Sequence, residues 1–439
     1  MGETIKTLSG RPLHLTDHER SLLDGAAGEA MQFAMQLVVR AARLMEAPRL
    51  LEIGYLHIDA CHYYGKAHVD FARFLVERGV RFEIPAWTNT ITVSLIQKEV
   101  RDDADPVALA EARELAKLYL ELGAKPVWTC APYQLPGGPG FGDHIAVGES
   151  NAVAYFNSVV GARTNKYGDF LDVACGLSRR APAAGLHTDE GRRATLQIDL
   201  ADVPETLRET EFFCHVLGHH LGRIAGSQVP VITGLPATTT KDSLKALAAA
   251  GAASGGIALF HAVGVTPEAP DLEAALQGHT PDAVYRVTSD DLIRARDSLS
   301  TTAPGRLAMV ALGTPHFSFT EFARLVPLLD GRKVHPDLAC YVSTSRHVAA
   351  LAAEKGWIEI LEKAGVTVLV DTCTYFSPAV RGCKGRVMTN SAKWAYYAPG
   401  MLPVEVAFGS LEDCAESAVR GEVTRDPATW SSRHWGATA

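Results

Sequence analysis

Two stretches far apart in the chain, ELGAKPVWTC ending at Cys130 and EKAGVTVLVDTC ending at Cys373, follow one plan: helix end, glycine, short apolar strand, Thr-Cys. A chain that repeats this plan builds α/β layers around largely parallel strands, because each new parallel strand is reached by a crossover that a helix supplies. Other segments vary the theme. RLLEIGYLHIDAC runs a strand into Asp59-Ala60-Cys61, and GRLAMVALGTPHFS runs one into Gly313, Thr314, Pro315 and His316. FEIPAWTNT and RVMTNSAK end in Thr-Asn-Thr and Thr-Asn-Ser. Open α/β sheets bind ligands outside the carboxyl ends of their strands. Here those ends carry thiols, an imidazole, hydroxyls and amides, so function is expected there.

Thr16-Asp17-His18-Glu19 has capping-box spacing and predicts a helical N-terminal segment through about Leu44. LLEIGYLHI, VRFEIPA and KPVWTC read as strands, and VDFARFLVERG as a helix ending in glycine. Asp105-Pro106 supplies an N-cap and first-turn proline for a helix that Gly123 ends. VPVITGLP and TTKDSLKALAAAG form a βα unit in a middle region, and RHVAALAAEKGWIEILEKAG, VTVLVD and RVMTNSAKWAYY continue the alternation. The expected organisation is a helical segment 1–45, an α/β domain 46–185 with Cys61 and Cys130, a middle α/β domain 186–300, an α/β domain 301–425 with His316 and Cys373, and a loose tail 426–439.

Composition narrows the function classes. Of the 439 residues 47% are hydrophobic and 21% charged, as in ordinary globular proteins. A net charge of -8 argues against nucleic acid, since phosphate binding needs a basic surface. The N-terminus lacks the apolar stretch of a signal peptide, and runs such as GGIALFHAVGV fall short of a membrane span, so a cytoplasmic protein is expected. The eight cysteines are scattered and none forms C-x-x-C, which excludes a zinc ribbon or thioredoxin-type site.

Cys61, Cys130 and Cys373 at strand ends are read in two ways: buried structural thiols, or soft ligands gathered around zinc or an iron–sulfur cluster. Cys383 is a fourth candidate, whereas Cys175, Cys214, Cys340 and Cys414 read as core. The glycine run 137–142 is neither a dinucleotide fingerprint nor a P-loop; its glycines allow close backbone approach and place Asp143-His144 near whatever Cys130 touches. HVLGHHLG lacks the glutamate of H-E-x-x-H and Gly218 weakens its helix, so His215, His219 and His220 read as structural. No G-x-S-x-G elbow supports a serine hydrolase. Thr389-Asn390-Ser391-Ala392-Lys393 offers a helix N-terminus and an ammonium to an anion, or simple N-capping.

TCAPYQLPGGPGFGDHIAVGESNAVAYFNSVVGARTNKYGD, ALGTPHFS, VDTCTYFSP and TNSAKWAYYAPG together resemble aconitase X, in order from about Leu15 to Gly421, with 149–165 the most specific stretch. The resemblance implies an aconitase-like assembly of α/β/α domains with mostly parallel sheets, lacking the swivelling domain. It implies a hydro-lyase that uses an iron–sulfur cluster or iron, and a separate small subunit that carries the swivelling domain and a catalytic serine. Dehydration of cis-3-hydroxy-L-proline to a pyrroline carboxylate is the activity expected, since Thr314 occupies a position where the archaeal type carries cysteine. Dehydration of phosphomevalonate is the alternative, and a cluster-free binding subunit the second. The residues implied are Cys61, Cys130 and Cys373 as metal ligands; His144, His316, Glu149 and Asp143 for catalysis; and Ser150, Asn151, Arg163, Asn165, Lys166, Ser391 and Lys393 for a hydroxy imino acid substrate.

Overall fold

The computed structural model describes residues 5–97, 104–374, 380 and 384–436. Parallel sheets dominate it. Strands Val366–Val370, Ala339–Thr344, Met309–Phe317, Gly385–Thr389 and Val404–Phe408 form a five-stranded sheet in that spatial order, all parallel. Its central strand Met309–Phe317 is buried along its whole length, as befits a parallel sheet covered on both faces. A second parallel sheet joins His261–Ala262, Pro230–Thr233, Leu196–Asp199 and Ala283–Arg286. A third joins Ala86–Thr88, Leu56–Ile58 and Ala146–Val147. This is the α/β class the alternation implies.

Local chemistry sets most element ends. The Thr16–Glu19 capping box forms, but its helix Asp17–Leu23 stops at once. Gly25 and Gly28 take φ of +91° and +89°, and a second helix, Glu29–Leu44, begins after them. Asp105 caps Pro106–Glu121 through the amide of Val107. These N-terminal helices bury Leu22, Ala34, Met35 and Val38 in one apolar core with Leu56, Ile58, Leu115 and Val173. No helix among the described residues is long and apolar enough to cross a membrane.

Three expectations fail in instructive ways. LLEIGYLHI is two strands, Leu50–Glu52 paired antiparallel with Arg180–Pro182, and Leu56–Ile58 in the parallel sheet. KPVWTC is not a strand beyond a single bridge from Lys125 to Trp87. Trp128 turns to φ +44° to bury its ring completely, and its N–H donates to the hydroxyl of Thr88 at 3.1 Å. The tail is not loose over its described residues 426–436: Trp435 is fully buried against Phe212, and Trp430 Nε1 donates to Asp413 at 2.8 Å. The Arg296 guanidinium lies over both indoles at 4.7 and 5.2 Å.

Candidate active site

The carboxyl ends of the three-stranded and five-stranded sheets face each other. Cys373 follows strand Val366–Val370 by three residues, and His316 lies at the end of Met309–Phe317. Across from them the turned segment after Lys125 delivers Cys130. Its sulfur lies 4.0 Å from that of Cys373, and a ring nitrogen of His316 lies within 4.8 Å of both. All three side chains are buried. The backbone N–H of His316 donates to the Cys130 sulfur at 3.3 Å.

Burial disfavours both thiolates, but two donors aimed at one sulfur separate the pair. The Cys373 thiol and the His316 N–H, with Lys393 nearby, bring Cys130 below the ordinary thiol range. Cys373, donating to Cys130 and buried, is pushed well above it. The His316 ring sits between Thr129 Oγ1, 3.0 Å from Nδ1, and the carbonyl of Thr372, 3.1 Å from Nε2. The carbonyl can only accept, so Nε2 carries the proton and Nδ1 accepts from the Thr129 hydroxyl. Burial lowers the imidazole pKa to about 4 and keeps the ring neutral.

Glu149 forms the second half of the site. It caps the helix Ser150–Tyr155 and takes Lys393 Nζ at 2.5 Å and Asn151 Nδ2 at 2.7 Å on Oε1. Asn89 Nδ2 donates to Oε2 at 3.1 Å, and Ser150 Oγ to Oε1 at 3.3 Å. Burial alone would raise this carboxyl, but the Lys393 charge and these donors bring it down to about 2. Asn89 also donates to Asp59, whose burial beside Glu149, Asp169 and Asp172 pushes its pKa well above the ordinary carboxyl value. Gly148 makes this approach feasible, since a Cβ there would lie 2.4 Å from that of Asp59. Tyr133 completes the shell by donating to Asn151 Oδ1 at 2.8 Å.

The descriptions of three family models fit successive parts of the chain: Aconitase X first domain at residues 12–190, second domain at 194–297 and third domain at 307–420. The chain belongs to the aconitase X family. Among its relatives, the cis-3-hydroxy-L-proline dehydratase of Pseudomonas aeruginosa is 42% identical over 98% of this chain and 74% of that protein. The phosphomevalonate dehydratase large subunit of Thermococcus kodakarensis is 32% identical over 88% of this chain and 95% of that protein. The crystal structure of Thermococcus kodakaraensis aconitase X, holo-form, superposes with a TM-score of 0.82 at 31% identity, covering 92% of this chain and all of that one.

In this aconitase X chain the sequence-predicted residues divide cleanly. Cys130, Cys373, His316, Glu149, Ser150, Asn151, Lys393 and Ser391 come together or border the site; Ser391 caps Trp394 N and donates to the Thr314 carbonyl. Cys61 does not join the thiol pair. Its sulfur donates to the carbonyls of Ile58 at 3.2 Å and Asn89 at 3.6 Å, and burial with the nearby Asp59 charge pushes it well above the thiol range. Cys383 lies outside the described residues.

Asp143 and His144 precede strand Ala146–Val147 and Glu149 follows it, so they sit at the opposite edge of the sheet. Asp143 caps Gly140, and His144 Nδ1 lies 3.0 Å from His187 Nδ1. Arg163 is paired with Asp189 at 2.6 Å, and Asn165 holds the backbone of Ala184 and Leu186. Lys166 pairs its backbone with Val147 and is exposed. Asp59, Asn89, Thr129 and Tyr133 received no role from sequence reasoning. For the first two, their place just past strand ends was the available signal.

Proposed function

We propose that this chain is the large subunit of a cis-3-hydroxy-L-proline dehydratase, a hydro-lyase that eliminates water from a cyclic hydroxy imino acid to give a pyrroline-2-carboxylate. The reading rests on the 42% identity over 98% of the chain to an enzyme of that name, against 32% to a phosphomevalonate dehydratase large subunit. The donor set suits an iron–sulfur cluster or iron. Cys130 and Cys373 present two buried sulfurs 4.0 Å apart, the soft donors that iron and iron–sulfur clusters take. Those thiolates would hold such a group, with the buried His316 imidazole as the third donor. Bound there, the group supplies a Lewis acid for the departing hydroxyl.

The remaining work falls to side chains. Glu149, held near pKa 2, is a poor base but a fixed negative charge, so it suits the substrate's ring ammonium. Lys393 and the helix N-terminus that Ser391 caps favour the substrate carboxylate. Asp59, whose carboxyl is pushed well above the ordinary range by burial and by the charge of Glu149, is the acid assigned to the leaving hydroxide. Water is lost as the C2–H and C3–O bonds break, and the resulting enamine tautomerises to the imine. The base that takes the C2 proton is assigned to a small partner subunit, in keeping with the name large subunit carried by the Thermococcus relative. All seven described cysteines are free thiols, which suits a reducing cytoplasm.

Co-expression with the small partner, anaerobic iron–sulfur reconstitution and assay of cis-3-hydroxy-L-proline tests the reading. Turnover that disappears in Cys130→Ala and Cys373→Ala, together with the cluster absorbance, is expected. Activity on phosphomevalonate with none on the imino acid would overturn the substrate.

A further inference from the structure

Asp371, two residues before Cys373, carries a backbone φ of +74°, a conformation glycine adopts freely and aspartate does not. Its side chain is fully buried. Arg346, the first residue of helix Arg346–Glu354, grips it with Nε to Oδ1 at 2.6 Å and Nη2 to Oδ2 at 2.8 Å. This bidentate geometry fixes the orientation of both groups.

The same aspartate reaches across to the other sheet. Leu95 N donates to Oδ2 at 3.0 Å, and Ile91 N donates to the Asp371 carbonyl at 2.9 Å. Gln97 Nε2 adds a bond to the Val368 carbonyl at 3.0 Å. Segment 91–97 is thus tied at three points to the end of strand Val366–Val370. Each end of this tie leads into the site. Ile91 lies two residues beyond Asn89, whose amide joins Asp59 and Glu149. Asp371 adjoins Thr372, whose carbonyl takes His316 Nε2, and Cys373 follows.

We propose that Asp371 and Arg346 are positioning residues: together they set the spacing between the wall bearing Asn89 and Glu149 and the wall bearing Cys373, and so hold Cys130 and Cys373 at chelating distance. Neither touches a thiol among the described residues. The inference rests on the metal-binding half of the proposed function and not on its substrate. A purely structural role of this pair, buried at Asp371 and half-exposed at Arg346, would show as lost stability with metal affinity unchanged in the folded variants.

Cadmium titration of the reduced, metal-free chain, read by thiolate-to-cadmium absorbance, tests it. The wild type is expected to bind one cadmium ion per chain. Asp371→Gly relieves the backbone conformation while deleting the carboxylate, and Arg346→Gln deletes the grip. Both are expected to weaken cadmium binding by about tenfold or more, the usual cost of losing an outer-sphere partner, with circular dichroism unchanged. Arg346→Lys should recover part of the loss, since one ammonium cannot bridge both oxygens. Should Asp371→Gly misfold, Arg346→Gln at the half-exposed position carries the test. Wild-type affinity in the folded variants would overturn the positioning role and leave the dehydratase reading intact. A wild type that binds no cadmium would overturn both this inference and the metal centre. Cadmium effects as expected in an enzyme inactive on the imino acid would overturn the substrate alone.

Discussion

Glu149 gathers more donors than any other carboxylate in the site, and its ion pair with Lys393 is buried on both sides, with side chains 12% and 3% exposed. Removing one partner of such a pair leaves an uncompensated buried charge, at a cost of about 3–5 kcal/mol. Lys393→Met is therefore expected to destabilise the fold by roughly that amount at pH 7, and Glu149→Gln/Lys393→Met to recover much of it. The pH dependence has a fixed sign. The folded pKa of about 2 lies below the ordinary 4.5, so the carboxylate's contribution is fully present above about pH 4.5 and is lost as pH falls towards 2. Urea midpoints at pH 7 and pH 3 check this, because the penalty of Lys393→Met should shrink on acidification. A penalty of equal size at both pH values would contradict the assignment.

At the scale of elements, helices Glu211–Ala225 and Lys241–Gly255 pack through glycines. A Cβ on Gly222 would stand 2.0 Å from Ser254 Oγ and 2.8 Å from the Gly251 carbonyl, and one on Gly218 2.5 Å from the Leu247 carbonyl. Gly222→Ala gains about 1 kcal/mol in helix propensity, yet overpacking costs about 1–3 kcal/mol or more. A net loss in the denaturant midpoint is expected, and a stabilised variant would show that the helices separate freely. From the sequence Gly218 signals only a weak helix, because propensity is local and the facing helix is not. The same limit explains the site. Strand-end position brought out Cys373 and His316, since polar groups after apolar runs mark sheet edges, but it also brought out Cys61, whose sulfur binds the carbonyls of Ile58 and Asn89 instead. The glycine run 137–142 suggested Asp143 and His144 beside Cys130, but a strand of two residues, Ala146–Val147, too short to announce itself, separates them from Glu149 across the two edges of its sheet. The strand reading of KPVWTC fails because burying Trp128 outweighed strand pairing there.

Over the whole molecule one apolar core runs from Ala154 through Leu217 and Leu247 to Val387 and Trp435, so regions matched by all three family domains share it and should unfold together. Buried titratable groups of opposite tendency are spread through that unit. Burial takes His219 down to about 4, so its folded form refuses a proton that the unfolded chain accepts below pH 6.5. Its stabilisation is complete above pH 6.5 and is lost as pH falls towards 4. Burial, helped by Asp169, takes Asp172 up to about 7, so the folded form keeps a proton that the unfolded chain has released. That contribution is complete below about pH 3.8 and is lost as pH rises through 7. Between pH 4.5 and 6.5 the two slopes oppose each other at about 1.4 kcal/mol per pH unit, the value for one proton. Single substitutions should expose them. In urea titrations read by the buried Trp128, Trp394 and Trp435, His219→Gln should tilt the stability curve towards acid. Asp172→Asn should tilt it towards base by a similar amount, whatever each variant costs at its optimum. Parallel curves for wild type and both variants would mean that neither group changes its proton affinity on folding.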